Sequence, residues 1–457
     1  MKNLFAALVV LVPLTAFSAP AIDGSWLGTL EVGSAQLRLG LRVSRAADGS
    51  MAATLDSLDQ GSGEMKAERA SFVAPTVQVE IGKLAARYVG TLSGDAITGT
   101  FTQGGHALPL TFRRVAAFER QKRPQEPKRP FPYREEQVTL TVPESYGPQR
   151  ASAYVALTGT LSLPPGKGPF PAVLFITGSG PEDRDEQVFG HKPFLVVSDA
   201  LVRAGIATLR FDDRGTGTSG GTTKNMTISD NASDARAELE LLARHPQVDR
   251  RRLGIIGHSE GGLIAPMIAA DSKLPRFLVL LAGLGVPGRE ILDTQSQAML
   301  RASGATPQAL EQARLVNEKV FAAVASEPDA AKLEAKVKAA LAANPDVLEA
   351  ALSQLGMVTP WLREFLTIDP KRYLVKVKVP VLALNGERDL QVDVSNLQAI
   401  ERALTAGGNK HVKVVRLPEL NHLFQHCKTG APAEYSSIEE TFSPGAIGMI
   451  RDFISNL

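Results

Sequence analysis

GIIGHSEGGLIAP, residues 254–266, decides how the chain is read. It carries G-x-S-x-G as Gly257, Ser259 and Gly261, after the apolar run LGII and before LIAPMIAA, which has the composition of a buried helix. The order is strand, sharp turn, helix. Glycines are needed there because the turn brings backbone segments close together and strains the serine. The strain lifts the hydroxyl above the sheet, and the following helix aims N–H groups and its positive dipole end at the same place. The same five-residue pattern recurs in GTSGG, residues 217–221, around Ser219. Ser219 stands farther from its strand and leads into GGTTKN, which starts no helix. Ser259 is therefore the expected nucleophile and Ser219 a loop serine.

Outward from this turn, near-continuous apolar runs recur: AVLFITG (172–178), ATLRFDD (207–213), RFLVLLAG (276–283), VPVLALNG (379–386) and HVKVVRL (411–417). Such runs mark strands buried on both faces, hence a mostly parallel sheet. Helical patterns at 195–204, 229–244, 262–271, 394–405 and 444–456 separate them, and the alternation predicts a doubly wound α/β domain over 135–457. EQVTLTV and ALTGTLSL add a pair of strands at its start. The gap before 379 is too long for one crossover. Its Ala, Leu, Lys and Glu content predicts a helical cap at about 287–372.

Residues 22–115 read differently. Short alternating runs punctuated by Gly, Asp and Asn predict a small antiparallel barrel or sandwich. Residues 116–134, with four prolines and six Lys or Arg, predict a semi-rigid extended linker. Residues 1–21 have a positive start, a short apolar core and small residues, the pattern of a secretory signal peptide with two candidate cut sites; a retained anchor is the alternative. The expected location is periplasmic or extracellular. With a formal net charge of +2 there is no reason to expect a nucleic-acid partner. The one cysteine, Cys427, excludes an intrachain disulfide.

A serine hydroxyl needs a base, and the base an orienting acid. Asp389, in LNGERDLQV, falls just past the 379–386 strand, and His422, in LPELNHLF, just past the 411–417 strand. His411 begins a strand rather than ending one; His426 remains a rival to His422. Asp393 is better placed than Asp389 to cap the next helix. The developing oxyanion needs two donors. The Glu260 N–H, beside the nucleophile, is one, and Ser179 N–H, in the loop TGSGPEDRDE after the 172–178 strand, is preferred over Gly180 for the other.

These segments resemble those of the α/β-hydrolase superfamily. GHSEGG is similar to its nucleophile elbow, and GERDLQV and NHLF to its acid and histidine segments. FDDRGTGTSGG resembles the D-x-R-G-x-G-x-S loop of bacterial esterases and serine aminopeptidase-like hydrolases. TGSGPEDRD is similar to the oxyanion loop of secreted carboxylesterases with an extra N-terminal β domain, with Thr177 where many relatives have histidine. The resemblance implies a carboxylic-ester hydrolase using Ser259, His422 and Asp389, with no metal or organic cofactor, and implies that Asp212, Arg214 and Ser219 only hold a loop together. The cap is expected to form the acyl pocket, with Leu292, Met299, Leu300, Trp361 and Phe365 as candidate lining. An aminopeptidase or amidase on the same triad stays open, with Glu182, Asp183 or Asp185 to hold an amine. So does a more distant alternative, an envelope or apolar-ligand binding module in the N-terminal β domain.

Overall fold

The computed structural model describes residues 22–32, 35–46, 48–59, 64–118, 121–144 and 153–457, so the expected signal peptide lies outside the described residues. The chain divides into two compact units, up to Arg120 and from Gln121 onward.

The first unit is one antiparallel sheet of nine strands: β1 (Gly24–Val32), β2 (Ala35–Arg45), β3 (Met51–Ser57), β4 (Glu64–Lys66), β5 (Arg69–Val73), β6 (Thr76–Ile81), β7 (Ala86–Ser93), β8 (Ala96–Gln103) and β9 (His106–Val115). Sequential strands pair except β4 and β5, which end the strand order on either side, and β1 also pairs with β9. β4 pairs with β3 and β5 with β6, while Ala67 N–H donates to Ala53 O and Glu68 N–H to Glu80 O. The segment 64–73 is thus one bent strand joining both edges, which curls a single sheet into a barrel rather than stacking two. Period-2 alternation sends Trp26, Leu41, Val79, Tyr88, Ile97 and Phe112 inward, where they fill the interior. The Trp26 indole N–H donates to Ile22 O at 2.9 Å.

The second unit opens with residues 121–133, which form no helix or strand. They are pinned by side chains: the Arg123 guanidinium donates to the carbonyls of Phe189, Gly190, Ser436 and Ile438. The eight-stranded sheet follows. Its strands are β10 (Arg134–Pro143), β11 (Tyr154–Leu163), β12 (Phe170–Ile176), β13 (Ala207–Phe211), β14 (Val248–His258), β15 (Phe277–Leu281), β16 (Val381–Gly386) and β17 (Val412–Leu417). Their order is β10-β11-β13-β12-β14-β15-β16-β17, antiparallel at β10, β11 and β13 and parallel thereafter. β13, β15 and β16 are buried throughout, as continuous apolar runs require.

Helices α1 (Pro193–Arg203), α2 (Ile228–Arg244) and α3 (Gly261–Asp271) cross between the parallel strands. Between β15 and β16 lie α4 (Gly288–Ala302), α5 (Pro307–Ser326), α6 (Ala330–Ala340), α7 (Leu348–Gln354), α8 (Pro360–Thr367) and the single turn α9 (Lys371–Leu374). These helices enclose their own small core of Val316, Val320, Val324, Leu333, Val337 and Leu366. Helices α10 (Asn396–Ala406), α11 (Pro432–Tyr435) and α12 (Pro444–Ser455) complete the unit. Among the described residues no helix is long and apolar enough to cross a membrane.

Candidate active site

In parallel strands every C-terminal end faces the same rim, and the loops leaving β12, β14, β16 and β17 all start there. The β14 loop is the tightest. Ser259 stands between β14 and α3 with a left-handed φ of 53°. A serine pays a steric cost in that region, so the surroundings must hold it there. The Ser259 N–H donates to Leu281 O at 2.8 Å. A Cβ on Gly257 would lie 2.1 Å from Gly261 O, and one on Gly261 would lie 2.2 Å from Ile176 O. Only glycine fits either place, which is what the sequence pattern requires.

Asp389 lies three residues past β16 and His422 five past β17, and the two meet: His422 Nδ1 is 2.8 Å from Asp389 Oδ2, both side chains buried. The other Asp389 oxygen, Oδ1, accepts the N–H groups of Gln391 and Val392 at 2.8 and 2.9 Å. One oxygen holds the ring and the other holds the loop. His426 instead pairs with Glu440 on the exposed surface, and Asp393 receives the Ser395 N–H just ahead of α10. The structure contains no hydrogen bond between Ser259 Oγ and His422 among the described residues; such contacts often tighten only with substrate bound.

The loop after β12 lies against the elbow. A Cβ on Gly178 would be 3.5 Å from the Ser259 Cβ. Gly178 N–H is committed to Glu186 Oε1 at 2.8 Å, whereas among the described residues neither Ser179 N–H nor Glu260 N–H has a protein acceptor. Thr177 hydrogen-bonds through its hydroxyl to the Asp213 carboxylate, at 3.1 Å to the nearer oxygen. Arg184 anchors the loop by donating to Asp212. Burial opposes a charge on Asp212, but the Arg184 guanidinium and the N–H groups of Thr218 and Arg184 outweigh it and bring its pKa to about 2. Ser219 Oγ donates to Asp212 O at 2.7 Å and accepts Thr158 N–H at 2.9 Å, which accounts for the second G-x-S-x-G as a loop clamp.

Two residues that the sequence pattern did not single out tie these loops together. His258 Nδ1 is 2.9 Å from Glu186 Oε1, and its Nε2 is 3.0 Å from the backbone oxygen of His422. Burial works against a charged ring, but the Glu186 carboxylate outweighs it and holds His258 above the ordinary histidine range. GHSEGG contained His258, yet nothing local marked Glu186 as its partner 72 residues away.

A cavity of about 450 Å³ adjoins the oxyanion loop. Its apolar wall includes Leu157, Phe175, Phe211, Met226 and Ile264, with Ser179 and Glu260 at one side. Of the five residues expected from the cap, only Trp361 lines it; Phe365 is buried beneath, its ring stacked on Trp361 at 4.9 Å. Most of the wall comes from the sheet rim and α2, because the cap helices turn their apolar faces into their own core. The acidic groups also differ from expectation. Asp185 pairs with Arg210, and none of Glu182, Asp183 and Asp185 lines the cavity; Asp213, Asp234, Glu238 and Glu260 do. Burial raises Asp213 and Glu260 to about 7 and Glu182 to about 8, and lifts Glu238 well above the carboxylate range. Among the described residues no cluster of His, Cys, Asp or Glu could hold a metal.

Comparison with known proteins places this geometry in context. A family model described as serine aminopeptidase, S33 matches residues 193–426. Esterase EstD of Thermotoga maritima is 27% identical over 267 residues, 58% of this chain and 58% of that protein, so the chain spans little more than half the length of this curated relative. The Pyrococcus furiosus esterase Pf2001 aligns with a TM-score of 0.43 at 16% identity, over 74% of this chain and 98% of that one. A puromycin-hydrolyzing peptidase of Mycobacterium tuberculosis aligns with a TM-score of 0.44 at 15% identity, over 91% of this chain and 53% of that one. The family match takes in just over half of the chain, including the elbow, the Asp389 loop and the His422 loop, and the protein belongs to the serine aminopeptidase S33 family of α/β-hydrolases.

Proposed function

We propose that the protein hydrolyses carboxylic esters through an acyl-enzyme. The observation that carries this reading is the buried His422–Asp389 pair at the rim where Ser259 is held at positive φ. Ser259 Oγ attacks the acyl carbon while His422 Nε2 takes its proton. Asp389 fixes the Nδ1–H tautomer and stabilises the imidazolium. The Glu260 and Ser179 N–H groups receive the oxyanion. Collapse breaks the C–O bond, and His422 returns its proton to the leaving alkoxide. Water then attacks the acyl-enzyme with His422 again as base, releasing the acid and free Ser259. EstD, itself an esterase by name, supports ester over amide.

Ser259→Ala is the direct test. Turnover of a short p-nitrophenyl ester is expected to fall by at least ~10³-fold with the melting temperature unchanged; wild-type turnover in the folded variant would refute the assignment.

A second reading, cleavage of an aminoacyl amide, has its own observation. Glu238 lines the cavity, is 8% exposed, and among the described residues has no hydrogen-bond or ion-pair partner. A buried carboxyl of this kind could receive a substrate ammonium group. Comparing kcat/KM for p-nitrophenyl esters and aminoacyl p-nitroanilides separates the two readings. If anilides are the better substrates and Glu238→Gln abolishes that preference, the second holds.

A further inference from the structure

The Glu186–His258 pair sits behind the proposed triad and is used by none of its steps. Its hydrogen bonds constrain its protonation. The Nε2 partner is the carbonyl oxygen of His422, 3.0 Å away, and a carbonyl only accepts, so Nε2 carries a proton. The Nδ1 partner is Glu186 Oε1, 2.9 Å away, which already accepts the Gly178 N–H at 2.8 Å. With Glu186 as a carboxylate, that oxygen presents a lone pair to Nδ1, and Nδ1 carries a proton as well. That pairing makes the ring an imidazolium against a buried carboxylate.

The pair also joins three loops that must move as one. Glu186 belongs to the oxyanion loop and holds its Gly178; His258 directly precedes Ser259; its Nε2 holds the backbone of His422. Glu186 adopts φ 52°, a strained geometry that aims its carboxylate back at both partners. The His258 and His422 rings are 4.7 Å apart at their centroids.

We propose that His258, paired as an imidazolium with the Glu186 carboxylate, is a positioning residue that locks the oxyanion loop and the His422 loop to the nucleophile elbow. The groups facing His258 are Glu186 and Glu182 from the oxyanion loop and Asp389 and His422 from the rim. His422 faces Asp389, His258 and Tyr435 of α11. The proposal rests on reading His422 as the base, and its test separates the two.

The first measurement needs no turnover. Ring ¹⁵N NMR of the whole protein, with the His258 signal identified by its loss in His258→Asn, is expected to show both His258 nitrogens protonated at pH 8, where an ordinary histidine is neutral. A neutral His258 ring at pH 8 in the folded protein overturns the proposal, whether or not Ser259→Ala is inactive. The second is the separate measurement of kcat and KM for a short p-nitrophenyl ester. In Glu186→Gln, which removes the charge and keeps an oxygen for Gly178, kcat is expected to fall about tenfold or more while KM stays within about twofold. A folded Glu186→Gln that keeps the wild-type kcat, or that loses activity through KM alone, also overturns it. If Glu186→Gln does not fold, the spectrum of the native protein decides.

Discussion

Ser259 and Ser219 occupy the same five-residue pattern and differ entirely in physical state. Ser259 is held at positive φ above the sheet, while the Ser219 hydroxyl bonds the Asp212 carbonyl and the Thr158 N–H of neighbouring segments. Ser219→Ala should therefore leave kcat/KM within about twofold and destabilise the protein by about 1–3 kcal/mol, the cost of stranding the Thr158 N–H and the Asp212 carbonyl; thermal denaturation beside an ester assay checks both halves. Asp389 divides its oxygens between His422 and the loop amides of Gln391 and Val392. Asp389→Asn can keep the loop bonds but loses the acceptor for the His422 Nδ1–H, so kcat is expected to drop ~10³–10⁴-fold with folding retained.

At the scale of elements, the elbow works because β14, α3 and the end of β12 approach to backbone contact. Gly261→Ala would force a methyl to within 2.2 Å of Ile176 O, and backbone on both sides cannot yield. We expect no folded second unit from that variant, read by circular dichroism and proteolysis. The cap docks on the same turn. Glu260 accepts Asn231 of α2 through Oε1 and Trp361 of α8 through Oε2, at 3.1 and 2.6 Å, while Glu364 of α8 accepts the Ser229 N–H at 3.0 Å. Trp361 is thus both latch and cavity wall. If the cavity holds the acyl chain, Trp361→Ala should raise the ratio of kcat/KM for long over short p-nitrophenyl esters by ~10-fold, since each added methylene then finds room.

Across the whole molecule, four carboxyls share one buried region beside the oxyanion loop: Glu182, Asp213, Glu238 and Glu260. Burial raises each above its unfolded value. The stabilisation linked to their protonated forms is then fully present below about pH 4 and is lost as pH rises through about 7–8. Stability should fall from pH 5 to pH 8 by this contribution. Glu238→Gln, which stays neutral, is expected to raise the melting temperature by a few degrees at pH 8 and to leave it nearly unchanged at pH 4.5. An equal effect at both values would show that Glu238 is not protonated in the folded state.

The chain's local patterns determined a good deal by themselves. Alternation and turn residues marked the N-terminal β unit, and continuous apolar runs marked the parallel strands. Gly257 and Gly261 marked the elbow, because no other residue survives backbone contacts near 2 Å. Chain order with strand ends marked Asp389 and His422, which meet at 2.8 Å. These features are local, or follow from the rule that parallel strands end on one rim. What only the tertiary structure decided was partnership across the chain. Glu186 finds His258 over 72 residues, and Trp361 finds Glu260 over 101. The cavity takes its acids from the loop after β13, from α2 and from the elbow rather than from the oxyanion loop. Hydropathy records which residues leave water, whereas the donor that meets a buried carboxylate is chosen by packing, and packing joins segments whose separation along the chain carries no periodic signal.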